Sequence, residues 1–284
     1  MYPSYVVTNS AQPRHYSTVA GATRVLSLAL CCLLQACATQ PIDVAERVGA
    51  LLPADVILLG EQHDAPDHQA LERAVVLELA RREQLAALAM EMAEQGRSTQ
   101  GLARDATQAE VQLALRWTEA GWPWANYGPV VMAAVRSGVP VLGANLARDA
   151  MRSAMADESL DRRLEPAALG QQRDKIRGGH CMLLPENQIA PMTRIQIARD
   201  AAMAQTAATA LKPGKAVLLV AGGGHVLRGL GVPTHLPLAL RTRVVLAVAG
   251  QGDQALRSGA DVVWETPAVP PVDHCAELEQ RAKP

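Results

Sequence analysis

The sequence predicts an α/β domain with a largely parallel or mixed central sheet flanked by helices. Two observations carry that expectation: short, nearly continuous apolar runs recur along the chain, and stretches of helical periodicity separate them. The composition agrees, with 284 residues, 49% apolar, 3% aromatic and a net charge of −1. A disordered, fibrous or strongly basic nucleic-acid-binding protein is excluded on those figures.

Taken in order, the predicted strands are residues 55–60 (DVILLG), 85–91 (LAALAME), 139–143 (VPVLG), 216–221 (AVLLVA), 243–249 (RVVLAVA) and 261–265 (DVVWE). Each is too short and too uniformly apolar for an exposed helix, and Gly, Pro or charged residues bound it. Helices are predicted over 67–82, 107–119, 128–137 and 190–211, the last with Pro191 in its first turn. No repeat or linker divides this part of the chain, so residues 53–266 read as one domain, followed by a proline-rich, irregular tail over 267–284.

The N-terminal region reads differently. Arg14 and Arg24 precede an apolar run over 25–34, which ends in Leu34-Gln35-Ala36-Cys37. Ten apolar residues are too few to span a bilayer, which takes about 20. The pattern resembles a bacterial lipoprotein signal, which implies removal of residues 1–36, lipidation of Cys37 with palmitate among the acyl chains, and a tether and lead-in over 37–52. Ala38 after the lipidated cysteine implies the outer membrane, facing the periplasm. The unusually long basic region predicts that Met1 is not the true translation start. Cys181 and Cys275 then remain in an oxidising compartment, as a disulfide, as free thiols, or, because each follows a histidine, at a metal site.

Ligands of open α/β sheets bind beyond the carboxyl ends of the strands. The residues there are Glu61 and His63 after the first strand, Glu91 on the second, Asn145 after the third, and Gly222-Gly223-Gly224-His225 after the fourth. The glycine loop is either an anion cradle or a plain tight turn; it is neither GxGxxG nor GxxxxGK[ST]. Residues 116–129 (RWTEAGWPWANYGP) hold three of the four tryptophans and Tyr127, the one tyrosine beyond residue 36, in a stretch expected to be a loop between helices. A phenolate is a hard donor suited to ferric iron. Gln196, Arg199, Asp200 and Met203 share one helical face, from which Arg199 can pair with Glu61 or Glu91, hold a ligand's acid group, or remain solvated. His180 precedes that helix in a loop expected to wall the site.

Read together, ILLGEQHDAPDHQ, the strand ending MEM, GWPWANYGPVV, VPVLGANLAR, GGHCMLLPE, the QIARDAAMA helix and VLLVAGGGHVL resemble the ChaN-like haem-binding lipoproteins of the Tiki and erythromycin-esterase superfamily, from about Val56 to Val232. The resemblance implies a ChaN/Tiki-like fold, ferric haem as ligand, a role in haem uptake or iron acquisition with outer-membrane uptake machinery as partner, and a homodimer sharing haem across its face. Tyr127 is the expected iron ligand, with a histidine as the other choice. Arg199, His63 or His225 are expected on the propionates, and His180 and Trp124 around the ring. No nucleic acid is expected. The alternative is a hydrolase, metal-dependent or metal-free, using Glu61, His63, Glu91 and His225; there is no GxSxG or HExxH to support it.

Overall fold

The apolar runs become strands buried on both faces. In the computed structural model, which describes residues 43–251, 254–276 and 278, all six residues of β1 (Val56–Glu61) and all seven of β4 (Ala216–Gly222) are buried. With β2 (Leu85–Glu94), β3 (Val141–Asn145), β5 (Thr242–Ala249) and β6 (Val262–Thr266) they form one sheet in the order β3-β2-β4-β1-β5-β6. Every neighbouring pair of these six strands is parallel. The signal-peptide and lipidation expectations on residues 1–42 lie outside the described residues.

Side chains alternate between two apolar layers, as pleating requires. Ile57, Leu59, Leu88, Met90, Leu218 and Val220 pack with the helices α1 (Val44–Leu51), α2 (Pro66–Arg81), α3 (Gln108–Leu115) and α4 (Trp124–Arg136). Val56, Leu58, Val217, Leu219 and Ala221 pack on the other side against Met203, Ala204 and Ala207 of the long helix Glu186–Thr209. Between β3 and that helix lie α5 (Met151–Ala156) and α6 (Pro166–Gly179), so the long helix is α7.

The chain leaves β1 into α2 on one face of the sheet. It leaves the adjacent β4 through a 3-10 turn, Gly223–His225, toward Val226, Val232 and Leu236 on the other. Two neighbouring strands whose connections diverge open a crevice between their carboxyl ends, and register sets Glu61 opposite Gly222 there.

Several sequence expectations are corrected. Residues 44–51, expected to be lead-in, form α1: the Asp43 carboxylate caps it by accepting from Ala45 N (3.0 Å) and Glu46 N (3.3 Å), and Val48 and Leu51 enter the core. The aromatic stretch is not all loop, because α4 starts at Trp124 and carries Tyr127 in its first turn. The helix begun at Thr107 ends at Leu115, since Arg116 adopts a left-handed cap. The long helix starts at Glu186, so Pro191 lies inside it and not in its first turn. α6 has no counterpart in the sequence reading.

Cys181 and Cys275 form a disulfide across a sequence separation of 94, which decides among the three alternatives. It ties the α6–α7 loop to the tail, whose residues 267–273 carry no helix or strand. A cross-link closing a loop of this size restricts the unfolded chain by about 5 kcal/mol in the chain-entropy relation. Cys181→Ser/Cys275→Ser is therefore expected to unfold at clearly lower urea concentration, and dithiothreitol should lower the thermal midpoint of the native protein alone.

Candidate functional site

One buried carboxylate organises the carboxyl edge of the sheet. Glu61, the last residue of β1 and 4% exposed, accepts three hydrogen bonds. Tyr127 Oη donates to Oε1 at 2.7 Å, His63 Nδ1 lies 2.8 Å from the same oxygen, and Gln69 Nε2 donates to Oε2 at 2.5 Å. Burial alone would raise this carboxyl, but the bond from His63 and the remaining polar contacts outweigh it and leave Glu61 below its ordinary value, ionised. Glu72, one turn along α2 from Gln69, behaves in the opposite way. Neither of its oxygens has a hydrogen-bond partner of normal geometry, and burial together with the nearby charge of Glu61 pushes it well up, so it stays protonated.

His63 stands at the mouth, its side chain 41% exposed, with Trp122 edge-on to the ring at 4.8 Å. Packing pushes its pKa down, yet the bond to Glu61 and the charge of Glu91 prevail and raise it. Its Nε2 makes no hydrogen bond among the described residues and lies 4.0 Å from Glu91 Oε2. Gly222 permits this approach: a Cβ there would sit 2.8 Å from Nε2. The turn carrying His63 is pinned from below by His68, whose Nδ1 accepts the Gln62 N–H at 2.9 Å while Nε2 lies 3.0 Å from Thr266 Oγ1. Burial holds His68 below its ordinary pKa, as an acceptor nitrogen requires.

A second histidine lies deeper. His225, 6% exposed, places Nε2 3.3 Å from Glu91 Oε1 and Nδ1 2.5 Å from Asp200 Oδ1. The Gln196 carboxamide lies 3.0 Å from both ring nitrogens, and Glu91 Oε2 accepts the Gly222 N–H at 2.8 Å. Burial opposes a charge on this ring, but Glu91 and Asp200 together raise it to about 10, so it is an imidazolium. Burial would raise Glu91 as well; the charge of His225 brings it instead to about 2. Asp200 remains up at about 6 because burial exceeds the help it receives from His225.

Between these two clusters is a hollow of about 470 Å³ bordered by residues 61–64, residues 222–225 and His274 of the tail, which approaches Asp64 at 3.6 Å. A larger hollow of about 560 Å³ lies at the opposite, amino end of β2 and β3 and holds none of these groups.

The structure thus brings together Glu61, His63, Glu91 and His225, the four residues that the strand-end reading places at one edge, and Tyr127 of the aromatic stretch joins them through Glu61. Other expectations are corrected. Tyr127 is 1% exposed, and burial followed by the charge of Glu61 holds its phenol protonated, so it is a donor to Glu61 and not a phenolate facing a ligand. Both His225 nitrogens face carboxylates, which leaves none for a propionate. Arg199 pairs with neither Glu61 nor Glu91; it makes no hydrogen bond or ion pair among the described residues, and its neighbour Asp200 takes the inward position. His180 caps α6, Nδ1 2.8 Å from Ile176 O, and reaches the hollow only through the adjacent disulfide. Trp124 faces a different groove, and Trp122 takes the place beside His63. Asn145 does not border the hollow. Gly223–His225 is a tight 3-10 turn. Gln69, Glu72, Asp200 and His274 escaped the sequence reading, although Gln69 sits within the quoted motif and Asp200 on the face that Gln196 and Met203 define.

A three-layer α/β domain with a histidine–carboxylate hollow at the switch point of a parallel sheet is the class defined here. Within that class, the chain belongs to the family described as haem-binding uptake, Tiki superfamily, ChaN, which it matches over residues 48–236. Among solved structures it is similar to ChaN of Campylobacter jejuni, described as showing cofacial heme binding, at 26% identity and a TM-score of 0.59, over 76% of this chain and 89% of that one. It also resembles the type III effector HopBA1 at 18% identity and a TM-score of 0.48, over 80% of this chain and 94% of that one. No curated protein matches the sequence.

Two measurements probe this geometry. In Gly222→Ala the added methyl displaces the His63 ring from Glu91, so the NMR-titrated pKa of His63 is expected to fall. The raised pKa of His225 contributes stability that is fully present below about 6.5 and lost as pH rises through about 10. The urea midpoint should therefore decline between pH 7 and 10, and His225→Gln should remove that part of the decline.

Proposed function

We propose that the protein binds ferric haem in this hollow, with His63 as the residue that meets the iron, and that it serves haem uptake as a lipoprotein of the bacterial envelope. The observation that carries this reading is the exposed His63 imidazole anchored through Nδ1 on a buried, ionised carboxylate. Histidines that ligate metals usually hold their second nitrogen in such a bond, which fixes the ring and raises its basicity. Of the residues with iron chemistry at the hollow, His63 and His274 are solvent-accessible, but His63 is the one anchored on a buried carboxylate, whereas Tyr127 steadies Glu61 behind it. Bound haem supplies an iron centre that takes an imidazole as axial ligand.

Charge favours the ferric state. Glu61 and Glu91 are anionic, His225 balances one of them, and Glu72 is neutral. The surplus is negative, which suits a ferric porphyrin core with its extra positive charge. Family membership and the likeness to the Campylobacter protein support haem as the ligand. The Leu34-Gln35-Ala36-Cys37 pattern supports lipidation at Cys37, outer-membrane placement and a periplasmic setting, and the Cys181–Cys275 disulfide suits an oxidising compartment. Haem shared across a homodimer face and passage to envelope uptake machinery belong to the same proposal. The hydrolase alternative, metal-dependent or metal-free, would draw on the same group of Glu61, His63, Glu91 and His225.

Hemin titration is the test. The native protein should give a saturable Soret change, His63→Ala should weaken binding at least tenfold, and Tyr127→Phe should keep most of it. Because only the neutral imidazole can ligate, affinity should drop as pH falls through the raised His63 pKa. Unaltered spectra and affinity in His63→Ala would remove His63 from the site.

A further inference from the structure

The ring system expected to serve one site is divided between two. Trp122 packs edge-on against His63 and Tyr127 donates to Glu61, both behind the lining of the haem hollow, but Trp124 looks into a separate groove of about 460 Å³ between α2 and α4, and the two hollows share no lining residue. Four α4 residues at helical spacing, Trp124, Gly128, Met132 and Arg136, form one wall, and Arg73 and Leu77 of α2 form the other.

We propose that this groove is a second binding site, for a flat, conjugated molecule that carries carboxylates. Its aromatic wall is fixed in advance. The Trp124 indole donates from Nε1 to Gln108 Oε1 at 2.8 Å and meets the edge of Trp117 at a centroid distance of 5.0 Å. It lies against Gly128 so closely that a Cβ there would come within 2.6 Å of the ring. A side chain locked in this way loses little freedom when a ring stacks on it. The rest of the lining supplies apolar surface, from Leu77, Met132 and Pro129.

Charge selects the ligand. Arg73 and Arg136 are the only charged side chains bordering the groove, both are exposed, and neither makes a hydrogen bond or ion pair among the described residues. The nearest acid in sequence to Trp124, Glu119, is engaged at the start of α4, where it accepts the Trp124 backbone N–H at 3.1 Å. Guanidinium groups bind carboxylates in a planar, two-pronged fashion, so two of them beside an indole suit an apolar ring with acidic arms. A neutral apolar molecule would leave both cations unpaired, and a small inorganic anion would not use the ring.

Metal-free protoporphyrin IX is the probe: it has the ring and the carboxylates but no iron for His63 to hold. Titration of the full-length protein, followed by porphyrin emission and tryptophan quenching, should show saturable binding. Arg73→Glu/Arg136→Glu should weaken it at least tenfold, Arg73→Gln/Arg136→Gln by a smaller factor and Trp124→Leu severalfold, whereas His63→Ala should leave it unchanged. Thermal midpoints close to native for the two arginine pairs, which are solvent-facing, would establish that those variants are folded. Absence of saturable binding, equal binding by the charge-reversed protein, or loss of binding in His63→Ala would each overturn the proposal. If hemin binding proves independent of His63 while porphyrin binding still follows the arginines, the haem-hollow reading fails and the second site stands.

Discussion

The site depends on the ionised carboxylate of Glu61, almost fully removed from water. A lone buried carboxylate costs several kcal/mol, and what makes this one tolerable is that three donors from three places in the chain converge on it. Tyr127 comes from α4, Gln69 from α2 and His63 from the turn between β1 and α2, so satisfying one charge docks two helices and a loop at the end of β1. His68 fixes the same turn from beneath through Gln62 and Thr266, which couples the loop to the far edge strand β6. Removal of any one donor leaves a buried charge with fewer partners, so the position of His63 and the packing of α2 and α4 are one problem and not three.

Much of this was legible before any coordinates. Strands buried on both faces announce themselves as continuous apolar runs, and β1, β4 and β5 begin and end within a residue of where those runs do. Because ligands gather at the carboxyl ends of such strands, Glu61, His63, Glu91 and His225 were accessible from position along the chain alone. The helices fared unevenly for a physical reason. α1 is only eight residues long and α6 buries only Gln172 and Ile176, so neither writes a strong apolar stripe into the sequence. Both are held by tertiary packing, which spacing does not record.

The functional residues that escaped share a different cause. Spacing places Gln196, Arg199, Asp200 and Met203 on one face but does not say which of two adjacent polar residues turns inward, and the imidazolium of His225 selects the carboxylate over the guanidinium. Tyr127 shows the limit of reasoning from residue chemistry. A phenol suits ferric iron only if it can lose its proton, and that is settled by its neighbours. Next to an ionised Glu61, and out of water, the proton stays on the phenol and its oxygen becomes a donor.

The two histidines show how one fold edge holds two charge states of the same side chain. His225 lies between Glu91 and Asp200, and its charge persists across the whole physiological range. His63, with one carboxylate at 2.8 Å, another at 4.0 Å and much of its ring in water, is only moderately raised and can shed its proton. The fixed imidazolium opposes the charge of Glu91 at His63, while the bond from Glu61 to the opposite nitrogen is the largest of the contributions that raise the ring. A ligand nitrogen must be neutral to bind a metal yet basic enough to bind it well, and this arrangement supplies the second property without imposing a permanent proton. Had Glu91 lacked its buried partner, its full charge would act on His63 from 4.0 Å and hold the ring as a cation to higher pH. The deep pair therefore sets the shallow one's availability, which gives the two clusters one physical purpose.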